Sequence, residues 1–436
     1  KIGDDGYAEN NVVTMSGDSG VRSLIGGYVE DQGRANNNTV SLQAGKVTGD
    51  VAGGLVGTSG SADAKNNTVT ITGGKVGDTV YGGWAKGTGK ATGNTVTITG
   101  GKIDDVYGGY SASGAATHNT VNLGDGKNHM PSSYNIGRIY GGSHAADVTG
   151  NTLNVKTNVE VRNIYNFETI NFEKNASFHE SYPFLTIGGS APTTIKSLSG
   201  VNLTGAEGLW GTYTLIKNIN GFTITDGKKT KTEMMGVTER SIFIDSTNKN
   251  LLYAAYQFKD VTATQATALN DGTALYAGRA KMGNSTVNNK LTMGSGTYTK
   301  VYGGKTEGTG TSATDKGDSR NNSVTVTGGK VNDSLYGGYT DFASGKATGN
   351  TVTITGGTVV GTVYGGAATG SGNVTNNAVN LGNEDNHNLR NANLAAADLI
   401  GSIKGTGTAS GNALNVYAKN ANVHTVIDFD THHFIL

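Results

Sequence analysis

The sequence predicts an all-β fold, a β-solenoid of stacked glycine- and threonine-rich coils, and three observations carry that expectation. Two short phrases alternate along most of the 436 residues: Asn-Thr-Val-Thr-Ile-Thr-Gly-Gly, as at Asn94–Gly101 and Asn350–Gly357, and aliphatic-Tyr-Gly-Gly, as at Val80–Gly83 and Val363–Gly366. Within the first phrase, apolar and polar residues alternate with the period of a half-buried strand. Gly numbers 69 against 3 Pro. The glycines sit at fixed offsets between β-branched runs, so they read as turn chemistry and not as a flexible linker.

Each coil follows from these phrases. In Thr95-Val96-Thr97-Ile98-Thr99 the valine and isoleucine point one way and the threonines the other. A Gly-Gly turn, a short Lys-Val element and the Tyr-Gly-Gly strand complete two or three strands per coil. Stacked coils pair equivalent strands in parallel at about 4.8 Å. The Asn that opens the phrase suits a turn, because Asn tolerates the left-handed conformation, and it can stack into an amide ladder. Successive Tyr-Gly-Gly units lie roughly 30 residues apart, too close for four-stranded propeller blades. No apolar stripe of helical period runs through the repeats.

The repeats form two blocks, residues 1–181 and 284–436. Asn119–Gly124 and the insertion with Asn128-His129 are echoed by Asn377–Gly382 and Asn386-His387. Leu153-Asn154-Val155 is likewise echoed by Leu414-Asn415-Val416, and Phe167 through Phe172 by Asp428 through Phe434. Between the blocks, residues 182–283 carry less Gly and larger apolar side chains. They read as an irregular β spacer, with a weakly helical candidate at Ala263 to Leu275. The second block reads as truncated. With no signal peptide at Lys1-Ile2-Gly3-Asp4, the segment is expected to be excised from a longer precursor or to be a mature fragment, and the abrupt end at Phe434-Ile435-Leu436 favours excision.

Composition excludes several classes of function. Lys+Arg and Asp+Glu both number 34, so charge steering toward nucleic acid or an anionic membrane is not expected. The absence of Cys removes disulfides and thiolate zinc sites. No apolar run approaches the roughly 20 residues that span a bilayer. No cofactor and no metal are expected.

Each candidate site also has a plainer reading. Gly17-Asp18-Ser19-Gly20 matches a serine-protease string, but no His precedes it, and it reads as a turn. Asp50, Asp78 and Asp104-Asp105 fall in successive coils as a carboxylate row of the kind that β-helical glycan lyases and hydrolases use. With Asn332-Asp333 and Val360-Gly361 at that place in the second block, and no basic partner in register, it reads as a solvated turn. His129, His387 and His432-His433 read as surface loops. Gly87-Thr88-Gly89-Lys90 lacks phosphate-loop spacing, and Lys316-Gly317-Asp318 is a chance integrin-like string. The threonine rows form too irregular an array for ice binding. The better candidates are aromatic. The aliphatic residue of Tyr-Gly-Gly should face the core and the Tyr should face outward, stacking Tyr81, Tyr107 and Tyr140, and Tyr302, Tyr336 and Tyr364. The residue after Gly-Gly varies: Tyr28, Trp84, Tyr110 and Tyr339 are the candidate ligand-binding residues, while Ser143, Lys305 and Ala367 occupy the same place elsewhere.

With Asn-Thr-Val-Thr-Ile-Thr-Gly-Gly, Val106-Tyr107-Gly108-Gly109-Tyr110 and Gly211-Thr212-Tyr213-Thr214-Leu215-Ile216, and no Cys, the chain resembles the passenger of type V autotransporters, large adhesins of Gram-negative bacteria. The likeness covers most of the length and rests on repeat style. It implies a right-handed parallel β-helix, export to the bacterial cell surface, and attachment to host cells, other bacteria, or a matrix protein or glycan, with self-association open. The family's C-terminal membrane barrel is not among these residues, and no protease triad carries over. A polysaccharide-degrading enzyme and a passive structural stalk are the alternatives. The adhesin reading expects no catalytic residue.

Overall fold

Thr68–Ile71 pairs in parallel with Thr95–Ile98, residue for residue, and Thr95–Ile98 pairs in the same way with Thr120–Leu123. Val69, Ile71, Val96, Ile98, Val121 and Leu123 are fully buried, and the threonines between them look outward. Each buried aliphatic side chain of this kind is worth about 1.5–3 kcal/mol. Because every coil repeats the alternation, the buried residues form continuous ladders. A computed structural model describes residues 6–58, 61–127, 135–143, 147–175, 178, 182–205, 212–235, 238–245, 248–281, 285–308, 317–384, 387, 389 and 392–435. His129, Gly211 and Lys316 lie outside the described residues. Among those described, the one helical element is a 3-10 turn at Leu198–Gly200, and the rest of the regular structure is strand. The fold is the expected all-β parallel solenoid.

A coil has three faces. Ala64–Lys65, Thr68–Ile71, and Lys75–Val76 with Thr79–Ala85 contribute to three separate sheets; we call these the third face, the threonine face and the tyrosine face. On the tyrosine face Val80, Tyr81 and Gly83 register with Val106, Tyr107 and Gly109. The chain divides into two compact units. Lys1–Glu207, Tyr213–Lys231 and Ile242–Ala254 form the first, and Gly208–Thr212, Thr232–Ser241 and Ala255–Leu436 the second. The second unit has the same three faces, with Ser323–Val326, Thr351–Ile354 and Ala378–Leu381 stacked on its threonine face.

The segment expected to be an irregular spacer is shared between the units. Its first part continues the coils of the first unit: Leu185–Ile187 pairs with Val159–Val161, and Val201–Thr204 with Ile170–Glu173. The helical candidate at Ala263 to Leu275 is not a helix. It is two strands, Thr262–Thr264 and Leu269–Asn270, followed by the start of Ala274–Lys281. Ala263 registers with Leu291 and Leu275 with Val301, so core burial in two ladders overrides a locally helical composition.

The Asn that opens each phrase does not occupy the turn. The left-handed residue is the one before it: Asn37, Asn66 and His118 have φ of 56°, 55° and 56°, and Gly93 and Gly150 take 71° and 70° at the same place. Asn38, Asn67, Asn94, Asn119 and Asn151 then point inward and are fully buried. Their amides form the expected ladder. Asn94 Nδ2 donates to Asn119 Oδ1 at 3.0 Å and to the Ala64 carbonyl at 3.0 Å, and Asn94 N donates to the same Oδ1 at 3.0 Å. Asn94 Oδ1 in turn accepts from Asn67 N and Nδ2. The amide groups therefore find their partners inside the core, which removes the penalty of burying them. Asn289, Asn322, Asn350, Asn377 and Asn412 repeat the arrangement in the second unit.

This ladder explains why the two phrases alternate. The Asn side chains lie against the Gly-Gly of the tyrosine face. A Cβ on Gly82 would stand 3.0 Å from Asn94 Cβ and 3.2 Å from Val96 Cγ2, and one on Gly83 would press on the Asn94 amide and lie 2.7 Å from the Ala64 carbonyl oxygen. Gly304, Gly338 and Gly366 stand in the same way against Asn322, Asn350 and Asn377. The Asn phrase thus packs on the Gly-Gly phrase that precedes it, with Ala277-Gly278 standing there ahead of Asn289 and Gly401-Ser402 ahead of Asn412.

One coil in each unit is short. After Val159–Tyr165, Asn166 (φ 58°) turns the chain directly into Thr169–Glu173, and no third-face strand intervenes. Asn154 registers with Asn171, only seventeen residues on. Asp428 (φ 59°) does the same before Thr431–Phe434 in the second unit. In register, the ladder Asn is followed here by Glu168 and by Asp430. Glu168 Oε2 accepts from Gly150 N at 2.8 Å, and Asp430 Oδ2 from Asn412 N at 2.8 Å.

Candidate ligand-binding surface

The outer side of the tyrosine face carries two aromatic columns, because parallel in-register strands place equivalent side chains at the coil repeat. In the first unit Tyr81, Tyr107, Tyr140 and Tyr165 stack with ring centroids 5.4, 4.5 and 4.7 Å apart. In the second, Tyr276, Tyr302, Tyr336 and Tyr364 stack at 5.1, 4.9 and 4.8 Å with nearly parallel rings. These distances sit in the range favoured by offset aromatic pairs. The aliphatic partners Val80, Val106, Ile139, Val301, Leu335 and Val363 face the core as expected.

The tyrosines point outward and stack as expected, and several are covered: Tyr81, Tyr302, Tyr336 and Tyr364 expose 9, 4, 8 and 9% of their surface. The cover comes from the stacked neighbours and from the residue after Gly-Gly. Trp84 stacks on Tyr81 at 4.1 Å, and Tyr110 stands edge-on to Tyr81 and Tyr107 at 5.8 and 5.7 Å. Tyr339 does the same to Tyr302 and Tyr336 at 5.9 and 5.2 Å.

The four candidate residues therefore form the outer layer of these columns and are half-buried. Tyr28, Leu55, Trp84 and Tyr110 register with one another in successive coils of the first unit. Tyr339 stands in the corresponding column of the second, next to Lys305 and Ala367. Tyr28 Oη donates to Glu30 Oε2 at 2.7 Å.

Sequence reasoning missed the cations that lie on these rings. Lys86 Nζ is 4.0 Å from the Trp84 ring centroid, and Lys305 Nζ is 5.3 and 5.8 Å from those of Tyr302 and Tyr339. Arg279 lies 4.8 Å over Tyr276 and makes a forked contact with Glu307 at 3.0 Å. Such contacts add a favourable cation–π term. Burial alone would raise the Glu307 carboxyl, but Lys305 and Arg279 outweigh it and hold the group below its ordinary range. Lys305 and Arg279 occupy the post-glycine column itself, and that register was the available signal.

The acidic row also differs from expectation, because basic partners exist. Arg138 Nε and Nη2 hold both oxygens of Asp105 at 3.0 and 2.6 Å, and Arg162 lies 3.7 Å from Asp104. Lys300 pairs with Asp333 at 3.4 Å in the second unit. The offset of 33 from Asp105 to Arg138 hid the pairing, since that coil carries the long insertion. Burial and then Asp78 raise the Asp50 carboxyl, while Asp78 accepts from Thr79 Oγ1 at 3.2 Å. Among the described residues no three His, Cys, Asp or Glu side chains are placed to hold a metal ion. His387 Nδ1 lies 3.0 Å from the Tyr417 carbonyl. His432 and His433 lie on the exposed strand Thr431–Phe434 and not in a loop. The outer row of the first threonine face changes from Thr70 and Thr97 to Asn122, Asn154, Asn171 and Asn202, the asparagines linked at 2.7–2.9 Å.

Burial gives the phenols a readable signature. It raises Tyr107, helped by Tyr140 and Asp105, and it raises Tyr336 against a hydrogen bond to Ser334; both reach about 12. In the unfolded chain they ionise near 10. Between these values the unfolded state has lost protons that the folded state keeps, so stability falls as pH rises. It is full below about pH 10 and is lost as pH passes through about 12. In an alkaline titration followed by tyrosinate absorbance, these phenols should ionise together with loss of the β circular dichroism. Ionisation of every tyrosine near pH 10 with the fold intact would contradict the stacked columns.

No protein-family model, no curated protein and no solved structure matches the chain.

Proposed function

We propose that the chain is an attachment segment at a bacterial cell surface, binding a surface protein or glycan of a host cell or another bacterium through its aromatic columns. The observation that carries this reading is the half-buried layer of Tyr28, Trp84 and Tyr110, with Lys86 over Trp84, and its counterpart Tyr339 with Lys305. Rigid rings that are already packed on one side lose little freedom when a partner covers the other, and they suit both glycan faces and protein grooves. Supporting it are the balanced charge, the absence of Cys and the likeness in repeat style to autotransporter passengers. The reading assigns no catalytic residue and no cofactor.

The test is attachment of the purified chain to cells and to a glycan array. Trp84→Ala and Tyr110→Ala are each expected to weaken binding about tenfold, the scale of a moderate interface anchor. Silence of the unsubstituted chain in both assays, or binding unmoved by either substitution, would sink the reading. A passive stalk is the second reading. It is favoured by the burial of Tyr81, Tyr302, Tyr336 and Tyr364 against one another, and it expects both substitutions to lower stability and leave attachment absent throughout.

A further inference from the structure

We propose that the gap which the short coil leaves in the third face of the first unit is a binding site for a single neutral sugar ring. The proposal goes beyond the attachment reading, and it does not depend on Tyr28, Trp84, Tyr110 or Tyr339.

The gap follows from the chain path. On one side the third face ends at Asp147, bridged to Ala115 and followed by Thr149. On the other it resumes at Thr193–Ile195, paired with Phe222–Ile224. Asn166 has carried the intervening coil past this face, so one strand is absent and its neighbours stand about two strand spacings apart, roughly 10 Å. The resulting cleft has a volume of about 360 Å³. Ligand sites run from about 300 to 1,000 Å³, so this one is sized for a ring and not for an extended chain.

Its walls have mixed chemistry. Phe167 is buried at the base, and Tyr165, the last ring of the first aromatic column, forms one side. Flat apolar rings suit the C–H face of a sugar. Across the cleft the Glu168 carboxylate accepts from Gly150 N and pairs with Lys196 Nζ. Thr149, Thr194 and Thr225 bring hydroxyl groups to the rim. The acid and the base are already matched, so a charged ligand would have to break the pair, whereas a neutral hydroxyl can donate to one member and accept from the other. A peptide strand is disfavoured as the occupant. Two N–H groups on the Asp147 side are already engaged, Thr149 N by Asp147 at 2.9 Å and Gly150 N by Glu168.

Asp428 turns a short coil in the second unit as well, where Phe429 and Asp430 stand at the places of Phe167 and Glu168.

Saturation-transfer NMR on the whole chain tests the site, with methyl glycosides of glucose, galactose, mannose and N-acetylglucosamine as probes, and glucuronic and N-acetylneuraminic acids as charged comparators. At least one neutral glycoside should bind. Thr225→Trp places a large ring in the cleft from an exposed position, and it should weaken that binding at least about tenfold while melting like the unsubstituted chain. Gly17→Ala, whose added Cβ meets nothing within 4 Å, should leave glycoside binding unchanged. Binding of acidic sugars alone, no glycoside binding, or binding that survives Thr225→Trp overturns the site. Loss of cell attachment in Trp84→Ala together with any of those results removes the cleft and leaves the attachment reading standing.

Discussion

Asn94→Ala is expected to lower stability by about 5 kcal/mol, from two or three buried groups left without partners at about 1–3 kcal/mol each, plus the cavity. The substitution deletes both donations of Nδ2 and both acceptances of Oδ1. The Asn67 N–H, half of the Asn67 amide and the Ala64 carbonyl are then stranded in a dry interior, where water cannot replace the lost bonds. In a stacked array the damage should be local and split one unfolding transition into two. The outer row supplies the control. Asn122→Ala removes hydrogen bonds to Thr97 and Asn154 on a partly exposed face, and water can take their place, so about 1 kcal/mol or less is expected. Guanidinium denaturation of the two variants decides the matter, and equal midpoints would mean that the inner ladder is dispensable.

Gly83→Ala should cost about 3 kcal/mol, at the upper end for forcing one carbon into a packed interior. The new Cβ would meet the Asn94 amide and the Ala64 carbonyl, both held by the ladder. Gly17→Ala is the contrast, since a Cβ there meets nothing within 4 Å, and its effect should stay within about 0.5 kcal/mol. Because Gly83 and Asn94 touch, the double variant Gly83→Ala/Asn94→Ala should destabilise less than the sum of the single changes, by about 1–2 kcal/mol. Strict additivity in thermal melts would show that the two phrases are independent.

The sequence made the strands legible because Val96 and Ile98 alternate with threonines, and every coil repeats the pattern. The pairing of Tyr107 with Tyr140 was legible for the same reason: Tyr-Gly-Gly marks its own register. What escaped depended on three dimensions. Nothing local distinguishes Asn66, which is left-handed, from Asn67, which is buried, since both are Asn in one dipeptide. Ala263 to Leu275 has a composition that helices accept, and only the ladders waiting in the next coil make it strand. The Arg138–Asp105 pair spans an insertion that defeats counting by a fixed period. The short coil was visible as Phe167 through Phe172 echoed by Asp428 through Phe434, yet the echo alone could not say that a face was missing. The candidates Tyr28, Trp84, Tyr110 and Tyr339 stand out because their column varies, and the same variation hid Arg279 as a member of it and Lys305 as a cation lying on the rings.

The Asn ladder also has a polarity. In every rung Nδ2 of one coil donates to Oδ1 of the next, so the side-chain amides of a unit all point the same way. Aligned amide dipoles sum, as backbone dipoles do along an α-helix, and leave a partial positive charge at the donor end. In the second unit that end meets a carboxylate, Asp430, which accepts from Asn412, while in the first Asn151 Nδ2 donates to the Ala116 and Val148 carbonyls and Glu168 follows in register. The second stack is therefore finished electrostatically, as an acidic residue caps the first turn of a helix.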